Sequence, residues 1–398
     1  MIDLFKILAS FALIIILLRR RWNLGLVMLL TSIVLGTLYL IGPMRQLEVM
    51  IRSSADLVTL NLVGGLVLIM ALENIIRKRG LLRQLTDSLS KIAGDRRVTM
   101  AVLPGVIGLL PSAGGAAFSA PMVQAAAGDA EIPPEQRAFI NYWFRHIWEY
   151  ISPLYPGIVL AAAITKIPLN SLLISQSPLP MAVVLVGALF CFRGIPDAAK
   201  SAERNTDVVK ALIISLLPII ASLVMVIVFK IHLAISMAVI VTALFIIYRY
   251  SFQEIKIALK ESVSLNIILM VIGIMVFKGM IEATGAINAL PEFFEKSGLP
   301  PVLIYFTIPF LVGLLTGLTV GFVGATFPLI TAMMGGHPDP GAITFAFASG
   351  FAGVMLSPTH LCLLLTVRYF KADLAATYRL MYLPVALVFA IGLVRYWL

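Results

Sequence analysis

Residues 98–127 read VTMAVLPGVIGLLPSAGGAAFSAPMVQAAA, and residues 302–334 read VLIYFTIPFLVGLLTGLTVGFVGATFPLITAMM. In each segment, a short apolar stretch ends in Gly-Leu-Leu, meets a cluster of Gly, Ser or Thr, and is followed by a second apolar stretch. Neither arm is long enough to cross a hydrocarbon core of about 30 Å. Non-helical backbone is tolerated at membrane depth only where protein or water satisfies its polar groups. We therefore predict two re-entrant hairpins around a polar site, with turns near 111–115 and 316–321; glycines that only allow close helix packing are the alternative.

The two segments belong to a repeat that runs through the chain at one lag. The Gly-Leu-Leu of 108–110 recurs at 313–315, and the Ser-Pro of 152–153 recurs at 357–358, in both cases 205 residues later. The long apolar runs follow the same spacing. A duplicated membrane protein whose helix breaks also repeat is typical of a transporter.

The lag divides the chain into repeat 1 over 1–193, a polar cytoplasmic linker over 194–206, and repeat 2 over 207–398. Each repeat contains five predicted spans and one hairpin, at about 98–127 and about 302–334. Because five is an odd number of crossings, the second repeat is predicted to be inverted relative to the first. The predicted fold is an all-α polytopic membrane protein.

Composition places the chain in a bilayer. It is 60% hydrophobic and 13% charged, with a mean hydropathy of +1.00, outside the range of soluble domains. The net charge of +10 does not indicate a nucleic-acid partner, because most Lys and Arg lie in short loops between apolar runs. By the positive-inside rule these loops are cytoplasmic, which predicts a multi-pass inner-membrane protein with both termini outside. Cys191 and Cys362 lie in apolar runs and indicate neither a disulfide nor a paired-cysteine metal site.

The Ser-Pro pairs at 152–153 and 357–358 interrupt two long apolar segments. Ser suits the N-cap and Pro the first helical position, so each pair predicts a new helix that begins inside the membrane. Helix N-termini carry partial positive charge and free N–H donors, and four of them meeting at the midplane would bind an anion. A simple proline kink is the alternative. The predicted substrate-binding residues are Ser112, Ala113, Gly114, Gly115, Ser152, Pro153, Thr316, Gly317, Thr319, Gly321, Ser357, Pro358, Thr359, His360 and Arg145.

Three ionisable residues precede the first break. Charged side chains inside spans are costly and usually functional. Arg145 and Glu149 are four residues apart and would share one face of a helix. We predict that Arg145 holds a substrate carboxylate and that Glu149 or His146 carries the coupling ion; an ion pair that locks two helices is the alternative.

These features predict a secondary active transporter of a small organic anion that uses no cofactor or metal. A negative-inside membrane potential opposes anion uptake, so accumulation requires compensating H⁺ or Na⁺. An anion channel or a membrane-embedded enzyme is the alternative. The sequence contains neither HExxH nor GxSxG, and its charges are isolated rather than arranged in rings.

In its hairpins and broken helices the chain resembles the ion transporter superfamily of secondary carriers, which includes the dicarboxylate, citrate and gluconate permeases. It is most similar to the domain-of-unknown-function 401 branch. The resemblance covers nearly the whole chain. It implies an elevator-type fold, with a transport domain built from the hairpins, broken helices and final spans. It also implies a homodimer formed through the first three spans of each repeat.

Overall fold

The computed structural model describes residues 2–92, 95–111, 115–195, 205–285 and 300–397. Apolar runs form the longest helices, and two of these, Thr206–Ile227 and Leu374–Trp397, contain an interior proline. The helices are α1 (Ile2–Arg19), α2 (Leu24–Leu38), α3 (Pro43–Ala55), α4 (Leu57–Lys78), α5 (Leu81–Ile92), α6 (Arg96–Ile107), α7 (Gly115–Ala127), α8 (Pro134–Arg145), a 3-10 turn (Ile147–Tyr150), α9 (Pro156–Thr165), α10 (Leu169–Gln176), α11 (Pro178–Cys191), α12 (Thr206–Ile227), α13 (Leu233–Ile247), α14 (Phe252–Ser262), α15 (Leu265–Ala283), α16 (Pro301–Thr316), α17 (Thr319–Met333), α18 (Pro340–Met355), α19 (Leu361–Phe370) and α20 (Leu374–Trp397).

The prediction of an all-helical membrane protein is confirmed. Among the described residues, five helical segments are long and apolar enough to cross a bilayer: Leu57–Lys78, Leu169–Cys191, Thr206–Ile227, Leu265–Ala283 and Leu374–Trp397. Shorter apolar helices complete the bundle, and they include both arms of the second predicted hairpin.

Helix boundaries recur along the chain with the spacing found in the sequence. Helices α6, α9 and α10 begin at Arg96, Pro156 and Leu169, and α16, α19 and α20 begin 205 residues after them. The sequence also predicts a short amphipathic connector in each repeat, at 80–94 and 285–298, and the second lies almost entirely outside the described residues.

The two halves pack against each other reciprocally. Helix α2 packs on α15, and α4 packs on α13. Helix α7 packs on α19, and α17 packs on α9. In every pair one helix comes from each half, so the interior is formed jointly by distant parts of the chain.

The crossing of α2 and α15 depends on two glycines. A Cβ atom on Gly25 would overlap the backbone carbonyl of Leu269, and a Cβ atom on Gly273 would overlap the carbonyl of Gly25. Small residues allow such close approach of backbones in membrane helices. Beside the crossing, the Asn23 amide donates to Asn266 Oδ1 at 3.4 Å.

Gly273→Ala should therefore destabilise the protein. The added methyl cannot fit without separating the helices, which costs about 1–3 kcal/mol. Gly64→Ala is the matched control, because a Cβ atom there meets nothing within 4 Å and gains up to about 1 kcal/mol of helix propensity. Unfolding of both purified variants in detergent, compared with the wild type, measures the difference. Equal stability of the two variants would contradict the glycine crossing.

A polar contact at the end of α4 fixes the amphipathic helix α14. The carboxylate of Glu261 forms an ion pair with Lys78 and accepts a hydrogen bond from the Asn74 amide at 3.0 Å. The hydrogen bonds from Lys78 and Asn74 lower the pKa of Glu261 below its ordinary value of 4.5. A carboxyl with a lower pKa in the folded state stabilises the fold above its unfolded-state pKa, and this stabilisation is lost as the pH falls.

Glu261→Gln should lower thermal stability at pH 7 and have little effect once the pH falls below the folded-state pKa of the carboxyl. The pair is half exposed, so the change at pH 7 should be small. Melting temperatures of the variant and the wild type from pH 3 to pH 8 test this. A difference that does not depend on pH would mean that the charge of Glu261 is not responsible.

Candidate functional site

The two predicted hairpins consist of paired helices with unequal turns. Helices α16 and α17 pack together and are separated only by Gly317 and Leu318, with Gly317 at φ +62°. This turn is tighter than the predicted 316–321, because Gly317 adopts the left-handed conformation that closes a helix in one step. With 16 residues, α16 spans roughly 24 Å, less than a hydrocarbon core. The first turn runs from Gly108 to α7, and its predicted residues Ser112, Ala113 and Gly114 lie outside the described part of the chain.

The broken helices correct the predicted role of the Ser-Pro pairs. Helix α8 ends at Arg145, the 3-10 turn follows, and α9 begins at Pro156 rather than at Pro153. Likewise α18 ends at Met355 and α19 begins at Leu361, with His360 as the N-cap residue. Ser152 and Ser357 are therefore not helix caps.

Both serines instead close turns within the breaks. Ser152 Oγ accepts a hydrogen bond from the N–H of Leu154 at 3.3 Å, and Ser357 Oγ accepts from the N–H of Thr359 at 3.2 Å. Such local serine turns compete with helix formation, which explains why the helix resumes a few residues later. Ser357 also donates to the carbonyl of Leu314 at 2.7 Å, which fixes the break against the second hairpin.

The starts of α7, α9, α17 and α19 are in contact with one another or with Arg145. At the start of α9, a Cβ atom on Gly157 would overlap the side chain of Thr319, the first residue of α17. At the start of α7, a Cβ atom on Gly115 would overlap the guanidinium of Arg145. The backbone of His360, which precedes α19, lies against Gly317 in the second hairpin turn. Helix N-termini and the buried guanidinium of Arg145 are therefore linked by these contacts.

A buried polar cluster connects these helix starts. Nε2 of His146 lies 3.2 Å from Nε2 of His360 and 3.7 Å from Oε1 of Glu149. Thr319 donates to the other carboxylate oxygen of Glu149 at 2.6 Å. The predicted sharing of one helix face by Arg145 and Glu149 is wrong, because α8 ends at Arg145 and Glu149 lies in the 3-10 turn. This change of helix type directs Glu149 towards α17.

A cavity of about 670 Å³ lies next to this cluster. Its walls include four predicted residues, Thr316, Gly321, Pro358 and Thr359. The other predicted residues of the site that the structure describes do not line this cavity, although Gly317 and His360 are chain neighbours of its walls. The cavity therefore adjoins the cluster from the side of the second hairpin.

Several residues at the site were not predicted from the sequence. Pro156 and Asn266 line the cavity, and Cys362 lies close to the two histidines. Asn266 lies 205 residues after Asn61, the same lag at which the breaks recur. Hydrogen bonding between packed helices explains this repetition equally well. Cys362 carried no signal, because an isolated cysteine in an apolar run usually packs as a small apolar residue.

Thr319→Val should destabilise the protein through Glu149. Valine preserves the shape of the threonine side chain and removes its hydroxyl. Oε2 of Glu149 then loses its hydrogen-bond donor, at a cost of about 1–2 kcal/mol. In a Glu149→Gln background the same substitution should cost less, and this double-mutant cycle isolates the pair. Thr326→Val is the control on the same helix, since its buried hydroxyl donates only to the carbonyl of Phe322. Equal losses in both backgrounds would exclude coupling between Thr319 and Glu149.

Comparison of the sequence with known protein families identifies one family that matches the chain. The family described as a protein of unknown function, DUF401, matches residues 3–398. The chain therefore belongs to the DUF401 family. No curated protein matches it.

Proposed function

We propose that the protein is a secondary active transporter of a small organic anion of the carboxylate type. The observation that carries this proposal is the contact network between four interrupted-helix starts and a buried arginine. Half-helix N-termini that point at an anionic group are the arrangement used by transporters with discontinuous helices. Arg145 supplies the only full positive charge among the predicted binding residues and suits bidentate recognition of a carboxylate.

The cavity provides the path by which a substrate reaches this network. The hydroxyls of Thr316 and Thr359 and the backbone of Gly321 line it, so a polar solute would meet hydrogen-bonding groups along one wall. An organic acid would then place its carboxylate beyond this wall, towards Arg145, and leave its remainder in the cavity.

Ion coupling belongs to Glu149 and His146 in this proposal. Nε2 of His146 lies 3.7 Å from Oε1 of Glu149. A proton taken up by one of these two side chains would therefore remain next to the other. Moving a charge across the membrane costs about 2.3 kcal/mol per 100 mV, so uptake of an anion against this potential requires H⁺ or Na⁺ to enter with it. Thr319 provides a second oxygen beside Glu149, and the pair would serve Na⁺ as well as H⁺.

The reciprocal packing of the two halves supports inverted repeats, in which equivalent helices exchange partners. The resemblance to the ion transporter superfamily adds an elevator-like movement of the hairpin domain and a homodimer. The location in the cytoplasmic membrane with both termini outside follows from the distribution of Lys and Arg in the loops. A channel is disfavoured because the charged residues are isolated rather than arranged in rings. An enzyme of the HExxH or GxSxG classes is disfavoured because the sequence contains neither motif.

A thermal-shift screen of small organic acids, with and without sodium, identifies the substrate class. Binding of an acid stabilises the native state, and a larger shift in sodium than in potassium would indicate sodium coupling. The acid that gives the largest shift is then used for uptake into proteoliposomes.

Gly321→Val should abolish uptake of that acid while the protein remains folded. A Cβ atom at this position already crowds the Thr316 hydroxyl, at 2.7 Å, so a valine side chain would obstruct the hairpin turn and the cavity. Gly64→Val is the control at a helical glycine with open space. Saturable, gradient-driven uptake that persists in Gly321→Val would place the binding site elsewhere.

Glu149→Gln should remove accumulation driven by a proton gradient and leave substrate exchange intact, since exchange needs no net movement of cations. Uptake and counterflow in the same proteoliposomes separate the two activities. Accumulation by the variant under a proton gradient alone would assign a structural role to Glu149. Accumulation by the wild type only under a sodium gradient would assign the coupling to Na⁺.

A further inference from the structure

Three metal-ligating side chains meet in the polar cluster. One ligand atom from each of His146, His360 and Cys362 lies within 4.8 Å of the others. His146 comes from the break in the first half, whereas His360 and Cys362 lie at the start of α19 in the second half. The spacing of these residues along the chain matches none of the local zinc motifs, so the site is visible only in the folded structure.

The separation of the two imidazoles suits a tetrahedral metal ion. Zn²⁺ binds histidine nitrogen at roughly 2.0–2.1 Å, and two ligands at tetrahedral positions are then about 3.3 Å apart. The two Nε2 atoms are 3.2 Å apart. A cysteine sulfur binds Zn²⁺ at about 2.3 Å. The Cys362 sulfur lies within 4.8 Å of a ligand atom of each histidine.

The hydrogen bonding of His146 prepares it as a ligand. Its Nδ1 lies 2.6 Å from the backbone carbonyl of Tyr142, which can only accept, so the proton of the neutral ring resides on Nδ1. The Nε2 lone pair is therefore directed towards His360. Metal-binding histidines are characteristically oriented in this way, by donating the opposite N–H to a carbonyl or a carboxylate.

Glu149 lies beside this group and contacts His146. Oε1 lies 3.7 Å from Nε2 of His146, and Oε2 is held by Thr319 at 2.6 Å. A thiolate from Cys362 and the Glu149 carboxylate would together neutralise a divalent cation. Arg145 interacts directly with the Cys362 side chain.

We propose that His146, His360 and Cys362 bind one thiophilic divalent cation of the Zn²⁺ class. Imidazole and thiolate ligands select zinc and related transition metals over Mg²⁺ and Ca²⁺, which prefer oxygen. The site shares His146 with the proposed ion-coupling pair, but its nitrogen and sulfur ligands differ from the oxygen ligands that Na⁺ would require. It does not depend on the transport assignment, since its test measures binding alone.

Titration of the chelator-treated protein with Co²⁺ in detergent tests this proposal. One equivalent of Co²⁺ should bind and produce a thiolate-to-cobalt absorption band, and one equivalent of Zn²⁺ should abolish that band. Cys362→Ser and His360→Ala should each lose the band, whereas Cys191→Ser, which changes the other buried cysteine, should retain it. Absence of a band in the wild type, or an unchanged band in Cys362→Ser, would overturn the proposal.

Alkylation of the wild-type protein gives a second test that needs no variant to fold. Zn²⁺ should protect Cys362 from maleimide, as measured by mass spectrometry, and the protection should disappear with chelator. Cys191 is fully buried and should remain unlabelled in both conditions, which reports that the fold is intact. Equal labelling of Cys362 with and without Zn²⁺ would mean that the two histidines share only a hydrogen bond.

Discussion

The structure depends on one constraint: backbone N–H and C=O groups that are released where a helix breaks must find partners away from water. The breaks near 152 and 357 meet this constraint with serine turns and with contacts to the hairpins. Ser357, for example, bonds both to its own turn and to the carbonyl of Leu314. The first N–H groups of each helix that starts beyond a break have no partner within that helix. The backbone polar groups that make a helix break energetically costly are therefore also groups that a ligand could bind.

Reciprocal packing holds these breaks together. Helix α9 of the first half begins against α17 of the second, and α19 of the second packs on α7 of the first. A site assembled in this way cannot form from one half alone.

The sequence predicted the positions of the breaks well and their details less well. The Gly-Leu-Leu and Ser-Pro repeats located both hairpins and both interruptions, because glycine, proline and serine act on the local backbone and leave a local signal. The helices begin at Pro156 and Leu361, three residues after the predicted starts. Serine turns delay both starts, and a pattern of residue types does not specify the hydrogen bonds of these turns. Cys362 was missed for a different reason. Its partner His146 is more than 200 residues away, and only tertiary packing brings the two together.

Chemistry at the centre of the molecule is asymmetric although the scaffold is repeated. The residues that correspond to Arg145, His146 and Glu149 at the lag of 205 are Gly350, Phe351 and Val354. Phe351 packs against the His146 ring with a centroid distance of 6.3 Å. On Gly350, a Cβ atom would overlap the ring of Phe322. The second half thus supplies a close-packed aromatic wall where the first half supplies charges.

A low-dielectric wall strengthens the electrostatic interactions of the charges that face it. Duplication therefore provides two equivalent breaks, and divergence of three positions turns one of them into the polar side of a single site.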